Sequence, residues 1–284
     1  MGDTPVIDVT SLAKRYGTLT AVNGISFQVA PGECVAMLGP NGAGKTVTTE
    51  ILAGFRHADE GHVTVLGENP RNASRQWRSR IGVVLQTCRD LPELTVQEAI
   101  THVATFFADP RDVSDVIALT GLGAKANDRI GRLSGGQRRR VDVALGIVGK
   151  PELLFLDEPT TGFDPVARRE FWDLITALKD DRTTILLTTH YLEEAERLAD
   201  RVIVIANGSL IASGTAAELG EQNGDAVTVR WRENNQQLEQ LTATPTAFLR
   251  ELSERFDGEI PGLEVLRPTL EDTYLTLLSR QEQP

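Results

Sequence analysis

The first residues whose types and spacing indicate chemistry form a glycine-rich segment after the apolar run Cys34 to Leu38. The segment reads Gly39-Pro40-Asn41-Gly42-Ala43-Gly44-Lys45-Thr46. Glycines at this spacing let backbone N–H groups close around phosphate oxygens, and the start of a following helix adds positive potential. Lys45 can then reach the β- and γ-phosphates of a nucleotide, and the Thr46 hydroxyl can bind Mg²⁺. The alternative is a glycine-rich turn that binds nothing, but the predicted strand before it and helix after it favour phosphate binding.

A second apolar run, Leu153 to Leu156, ends in two acidic residues, Asp157 and Glu158. Ligands of parallel α/β sheets bind at the carboxyl ends of the strands, so these acids are expected near the phosphates. We expect Asp157 in the magnesium shell, and Glu158 to orient the attacking water or accept its proton. Alone, such a pair is more often a solvated strand end. Together with the glycine-rich segment it favours nucleotide hydrolysis.

The surrounding pattern predicts the elements that position these residues. Apolar runs typical of strands recur along the chain: Val6–Thr10, Ile25–Val29, Cys34–Leu38, His62–Leu66, Leu153–Leu156, Thr184–Leu187 and Val202–Ile205. Helical spacing covers Lys45–Ala53, much of residues 87–149, and Val166–Lys179. This order predicts antiparallel strands leading into a mostly parallel α/β sheet, with a helical segment inserted between two strands of that sheet.

The C-terminal region forms a separate small α/β appendage in this interpretation. Residues 220–225 are polar and contain glycine, as in a linker, and the alternation from Val227 to Trp231 predicts a strand. Thr244 and Pro245 suit the N-cap and first position of a helix, and Thr269 with Asp272 suits a capping box. We therefore predict one domain over residues 1–219, with a helical subdomain at about 87–149, and an accessory domain over residues 220–284.

Composition excludes several classes of protein. The 284 residues are 40% hydrophobic and 24% charged, which argues against disorder as the main state. The net charge of −11 does not suit binding to nucleic acid, so we expect no nucleic-acid partner. Cys34 and Cys88 are too few for a disulfide framework, and we expect Cys34 to lie in the core and Cys88 to have no functional role. No apolar stretch approaches the roughly 20 residues of a membrane span, and the N-terminus does not resemble a signal peptide.

Another short segment, Leu133-Ser134-Gly135-Gly136-Gln137, stands just upstream of the Asp157 strand. With this segment the sequence closely resembles the ATP-binding subunit of ABC transporters, over about Val6 to Gly214. The resemblance implies a P-loop NTPase (RecA-like) core with an antiparallel β subdomain, the inserted helical subdomain and the appendage. It also implies ATP and Mg²⁺ as cofactors, with Thr46, Gln86 and Asp157 as metal-site residues.

Single residues match the family in chain order. Tyr16 resembles the aromatic residue that stacks on adenine, and Gln86 the catalytic-site glutamine at the hinge of the helical subdomain. Asp164 resembles the aspartate of the D-loop, and His190 the catalytic switch histidine. Taken alone, each would more often be a packing or surface residue; their order favours the functional interpretation. Val47 departs from the family, which often has Ser or Thr there to hold the α-phosphate.

The resemblance implies that two such subunits close head to tail. Each ATP would then lie between the glycine-rich loop of one chain and Ser134, Gly135, Gly136 and Gln137 of the other. The run Arg138 to Arg140 is read as a solvated or dimer-facing surface.

The absence of a predicted span implies that the membrane domain is a separate permease chain, which would hold this subunit at the cytoplasmic face of the membrane. The segment from Gln86 to Val96 resembles the loop that receives this partner. Together with Leu270-Glu271-Asp272 it favours the branch that exports drugs, antibiotics or lipid-like substrates. An importer subunit, or a soluble ATPase of this superfamily acting on DNA or ribosomes, stays the alternative.

Overall fold

The computed structural model describes residues 4–85, 91–221, 227–234, 236–256, 258–266 and 269–281. The strands are β1 (Ile7–Tyr16), β2 (Leu19–Val29), β3 (Cys34–Leu38), β4 (Glu60–Val65), β5 (Ile81–Val84), β6 (Leu153–Asp157), β7 (Thr184–Thr189), β8 (Arg201–Ala206), β9 (Ser209–Gly214), β10 (Val227–Glu233), β11 (Gln236–Thr242) and β12 (Glu264–Leu266). The α-helices are α1 (Lys45–Leu52), α2 (Arg75–Ser79), α3 (Val96–Ala104), α4 (Val113–Leu119), α5 (Gly135–Ile147), α6 (Pro165–Asp180), α7 (Leu192–Leu198), α8 (Ala216–Glu221), α9 (Pro245–Ser253) and α10 (Leu270–Gln281).

A six-stranded sheet in the order β5-β6-β7-β3-β8-β9 positions the candidate site. The pairs from β5 through β8 are parallel, so the carboxyl ends of β3, β6 and β7 lie at one edge. Strands β3, β6 and β7 are buried along their whole length, which explains their continuous apolar sequence. The glycine-rich loop, Glu158 and His190 follow these strands directly, and Asp157 is the last residue of β6.

A three-stranded antiparallel sheet in the order β2-β1-β4 packs against this core. Its inward residues, such as Ile7, Leu12 and Phe27, share one apolar cluster with Met37 of β3 and Phe155 of β6. Both the antiparallel sheet and the parallel-rich sheet agree with the predicted fold class. Strand β2 is longer than the run Ile25–Val29 that the sequence indicated, because its first half is largely exposed and carries little apolar signal.

The helices α3 to α5 lie in the chain between β5 and β6, which are neighbours in the six-stranded sheet. The sequence predicted an insertion between two strands of this sheet but did not identify β5 as the first of them. The inserted helices begin at clear caps. Thr95 and Glu98 form a capping box at α3, and Ser134 and Gln137 form another at α5. Strand β5 was not predicted. It has only four residues, two of them partly exposed, and it follows a segment of arginines and Trp77, so its apolar pattern is too short to stand out in the sequence.

The chain divides into two compact units, residues 1–211 and 212–284. This division lies a few residues before the expected boundary at 219/220, which stays a prediction. In the second unit, strands in the order β11-β10-β12 carry Val229 and Trp231, which pack with Leu252 of α9. The capping box of Thr269 and Asp272 is present. Thr244 precedes α9 as expected, but its side chain makes no capping hydrogen bond.

Among the described residues, none of the helices combines the length and apolar character that crossing a bilayer requires.

Candidate nucleotide site

The glycine-rich loop is folded tightly between β3 and α1, and Lys45 reaches back across it. The Lys45 ammonium donates to the carbonyl oxygens of Gly39 and Pro40, at 2.8 and 3.2 Å, and only 4% of the residue is exposed. A Cβ at Gly39 would lie 2.2 Å from the Ile205 carbonyl oxygen. Gly44 caps α1 with a φ of +101°, and a Cβ there would lie 2.3 Å from the Ala21 carbonyl oxygen. Close backbone contacts therefore require glycine at both positions, and the positive φ of Gly44 is a second requirement there.

Thr46 and Asp157 meet at the edge of the sheet. The Thr46 hydroxyl donates to Asp157 Oδ1 at 3.2 Å, and Asp157 is buried at the end of β6. A hydroxyl and a carboxylate are hard oxygen donors of the kind that Mg²⁺ takes beside nucleotide phosphates. The donor set therefore fits the metal that the sequence predicts.

Glu158 lies between Lys45 and His190. Its Oε1 is 3.4 Å from Lys45 Nζ, and its Oε2 is 3.5 Å from His190 Nδ1. The backbone of Glu158 has a φ of +44°, a left-handed conformation that costs energy for a residue with a side chain. Its N–H is fixed by the carbonyl and hydroxyl oxygens of Thr188, at 3.1 and 3.0 Å. The structure therefore brings together the ammonium, the carboxylate and the imidazole that the sequence predicted to be neighbours.

Thr188 is a site residue that sequence reasoning missed. It pairs directly with Asp157 across β6 and β7, donates its hydroxyl hydrogen to Asp157 Oδ1, and accepts from the Glu158 N–H. The signal was a polar residue at the carboxyl end of an otherwise apolar strand. The predicted strand Thr184–Leu187 ends one residue before Thr188, so the sequence assigned Thr188 neither to the strand nor to the site.

His190 follows β7 and stacks on Tyr191, with ring centroids 4.0 Å apart. Four residues further along the chain, Glu194 of α7 is fully buried, and Trp172 of α6 donates its indole N–H to the carboxyl at 3.4 Å. Burial raises the pKa of Glu194, although the nearby hydroxyls of Thr189 and Thr160 lower it in part. Glu194 was also missed, because an acid in a helix with other acids reads as solvent-exposed.

The segment from Ser134 to Gln137 forms the first turn of α5. The Gln137 N–H donates to Ser134 Oγ at 3.3 Å, and the Ser134 N–H donates to Gln137 Oε1 at 3.1 Å. Ser134, Gly135, Gly136 and Gln137 line a pocket of about 470 Å³ together with the loop before α6, including Asp164. The described residues that line this pocket include none from the glycine-rich loop. Within one chain, the segment and the loop therefore face different recesses.

Tyr16 and Val47 lie in different surroundings. The Tyr16 side chain is 41% exposed, and its hydroxyl accepts from Arg56 Nη1 at 3.2 Å. Val47 is half-buried against the apolar core, which is the role a valine can fill in place of a hydroxyl donor. Gln86 and Cys88 lie outside the described residues. Cys34 is buried, and burial raises the pKa of its thiol to about 12.

The interpretation of Arg138 to Arg140 as a solvated or dimer-facing surface is wrong for Arg139. Arg139 is only 7% exposed and lies inside the molecule, against the ends of β5 and β6. On the same helix Arg138 has only a long contact, 3.5 Å from Nη2 to the Gly131 carbonyl oxygen, and Arg140 pairs with Glu170. A run of three arginines spans nearly a full helical turn, so its members cannot all face solvent.

Comparison with known proteins agrees with this geometry. Residues 22–161 match the ABC transporter family. Nod factor export ATP-binding protein I from Burkholderia orbicola (strain AU 1054) is 38% identical over 299 residues, covering 98% of each chain. The protein of that name from Rhizobium sp. (strain N33) is 38% identical over 301 residues, covering 97% of each.

Solved structures show the same fold. The ADP conformation of an ATP-binding cassette of an ABC transporter has a TM-score of 0.66 and 26% identity, covering 76% of this chain and 92% of that one. An ATP-binding subunit of an ABC transporter has a TM-score of 0.70 and 26% identity, covering 77% and 93%. The chain therefore belongs to the ATP-binding subunits of ABC transporters, a family of ATPases with the P-loop NTPase fold.

Proposed function

We propose that this chain hydrolyses ATP to energise export through a separate membrane subunit, which holds it at the cytoplasmic face of the membrane. The observation that carries the hydrolytic role is the position of Glu158 between Lys45 and His190. The direction of transport rests on the relatives, which are named as export proteins. The substrate class that we propose, a drug, an antibiotic or a lipid-like molecule, rests on the resemblance of the segment from Gln86 to Val96 and of Leu270-Glu271-Asp272 to the exporter branch.

Each side chain of the site then has a chemical role. When ATP binds, Lys45 exchanges the Gly39 and Pro40 carbonyl oxygens for the β- and γ-phosphates. Thr46 and Asp157 would hold Mg²⁺, with Gln86 as a further candidate, and the metal would neutralise charge on the phosphates. Glu158 orients the attacking water and accepts its proton, and His190 fixes the carboxylate and contacts the γ-phosphate. Tyr16 stacks on the base.

We further propose that each active site is shared between two chains in a head-to-tail dimer. Ser134 and the N–H groups of Gly135 and Gly136 lie at the start of α5, where helix geometry favours an anion. Their recess is distinct from the glycine-rich loop of the same chain. A second chain would bring its nucleotide to this recess, so that both chains contact one γ-phosphate.

The test mixes two inactive chains in the presence of the membrane partner. Lys45→Ala removes the phosphate-binding ammonium, and Gly136→Asp places a negative charge at the start of α5. In a mixed dimer, one site combines the intact Lys45 of one chain with the intact Gly136 of the other. Mixing should therefore recover part of the ATPase activity that neither homodimer shows.

The matched control is a chain that carries both substitutions, mixed with the wild type. Every hybrid site then has one lesion, so hybrid dimers should add no activity. If the pure Gly136→Asp protein hydrolyses ATP at the wild-type rate, the start of α5 has no part in hydrolysis and the shared site is refuted.

Export and the membrane partner have their own test. Purification of the tagged chain from membranes should recover an integral membrane protein, and transport should proceed without a substrate-binding protein. Dependence on such a protein would favour an importer. Recovery with ribosomes or DNA instead would favour the soluble alternative.

A further inference from the structure

Arg139 places a buried guanidinium at the ends of two neighbouring strands. Its Nη2 donates to the Asp157 carbonyl oxygen at 2.7 Å, and its Nε donates to the Pro159 carbonyl oxygen at 3.2 Å. Its Nη1 donates to the carbonyl oxygen of Leu85, directly after β5. One side chain therefore bonds the backbone of two segments that are far apart in sequence.

Burying a charged side chain costs free energy unless its N–H groups form hydrogen bonds. The partners of Arg139 therefore have to replace the hydrogen bonds that it loses to water. A carboxylate, that of Asp142 one turn along α5, lies 3.7 Å from Nη1. The three hydrogen bonds described above go to carbonyl oxygens. Only a planar guanidinium presents several N–H donors in a fixed fork, whereas a lysine ammonium on a flexible chain cannot bond all three carbonyls in this geometry.

The bonded carbonyls surround the residue that we propose as the base. Asp157 and Pro159 are the residues immediately before and after Glu158, and Leu85 immediately precedes Gln86. Glu158 itself has a left-handed backbone, which needs support from its surroundings to persist. Arg139 supplies such support on one side, and Thr188 supplies it on the other.

We propose that Arg139 is a positioning residue that holds the backbone on both sides of Glu158 and so links α5 to hydrolysis. Helix α5 begins with the capping box of Ser134, five residues before Arg139. A phosphate that binds Ser134 therefore contacts the same helix whose Arg139 supports the backbone at Glu158. This inference rests on the proposed role of Glu158.

The test compares Arg139→Lys with Arg138→Lys on the same helix. Arg139→Lys keeps the charge but loses the fork, so Glu158 shifts relative to the attacking water. A misplacement of this kind should lower kcat by about 10- to 100-fold. The KM and the affinity for ADP should stay near the wild-type values, because the hydrogen bonds that the substitution alters go to backbone carbonyl oxygens and leave the side chains of Lys45 and Thr46 in place. Arg138→Lys should behave as the wild type.

A second variant covers a failure of Arg139→Lys to fold, which thermal melting of the full chain would reveal. Asp142→Asn removes the carboxylate beside Arg139 Nη1 and leaves the guanidinium in place. It should lower kcat less than Arg139→Lys does, by about threefold to tenfold, again without a change in KM.

Three results would overturn the inference: a normal kcat in Arg139→Lys, equal losses in Arg139→Lys and Arg138→Lys, or a raised KM with kcat unchanged. If Arg139→Lys does not fold, an unchanged kcat in Asp142→Asn overturns it. Glu158→Gln is measured in parallel. Normal turnover there refutes the proposed base, whereas its loss beside a normal Arg139→Lys refutes only the role of Arg139.

Discussion

Replacing Glu158 by glutamine tests the centre of the proposed mechanism, because it changes charge and basicity while keeping shape. In the structure the carboxylate lies 3.4 Å from Lys45 Nζ and 3.5 Å from His190 Nδ1, with its side chain 9% exposed. The substitution therefore removes the proposed proton acceptor. It also removes the anion that holds Lys45 before ATP binds.

The two effects have opposite signs. Loss of a general base should lower kcat by roughly 10²- to 10⁴-fold. The attraction between the two charges at this distance is about 5 kcal/mol at an effective dielectric constant of about 20, an upper bound on what Lys45 gives up when it turns to phosphate. Glutamine also removes the repulsion between a carboxylate and the γ-phosphate. If a fraction of this energy is released, ATP should bind at least about tenfold more tightly.

Phosphate release at saturating ATP measures the first effect, and titration with ATP measures the second. Size-exclusion chromatography with ATP should show more dimer, because the bound nucleotide is no longer consumed. Glu196→Gln on the exposed face of α7 is the matched control for loss of one negative charge. Near-normal turnover in Glu158→Gln would remove Glu158 from the base role. Weaker ATP binding would refute the competition for Lys45.

Three further substitutions have defined outcomes. Tyr16→Ala should weaken ATP and GTP alike by about tenfold, since stacking contributes roughly 0.5–1.5 kcal/mol beyond burial and every base has a π-face; a loss confined to ATP would contradict stacking. Val47→Thr should tighten ATP and ADP binding, by up to roughly 1.5–3 kcal/mol for one hydrogen bond to a charged oxygen. Unchanged affinities in calorimetry would show that the missing hydroxyl has no effect on nucleotide binding. Burial raises the pKa of Glu194 above its ordinary value of 4.5. The protonated carboxyl therefore contributes fully to the free energy of unfolding below pH 4.5, and this contribution is lost as the pH rises through the raised pKa. Glu194→Gln stays neutral, so its Tm should gain on that of the wild type as pH rises from 5 to 9, and parallel Tm curves would refute the raised pKa.

The core of the fold could be predicted because its strands are buried on both faces. Strands β3, β6 and β7 have continuous apolar sequences that end in polar residues with clear chemistry, so the order of elements and the site edge followed from the sequence. Strand β11 could not be found this way. All of its residues from Gln236 to Leu241 are exposed, so its pairing with β10 determines its structure without any apolar alternation.

The residues missed at the site share a physical reason. The contacts of Thr188, Arg139 and Glu194 are made with residues distant in sequence, so the neighbouring residues in the chain do not reveal them. Threonine in a strand, arginine in a basic run and glutamate in an acidic helix each have ordinary roles. The pairing of β6 with β7 brings Thr188 to Asp157 and Glu158, and α5 brings Arg139 to the backbone beside Glu158. The burial of Glu194 likewise depends on its tertiary surroundings, among them Trp172 of α6.

The left-handed backbone of Glu158 has two opposing consequences for the stability of this position. At a φ of +44° glycine has no steric cost, whereas glutamate does. A change to glycine would relieve the backbone and delete the carboxylate in one step, but it would also leave the buried Lys45 ammonium without its ion pair. Backbone strain of this kind is typical of functional sites, where the surroundings hold it in place, and it therefore agrees with the role proposed for Glu158.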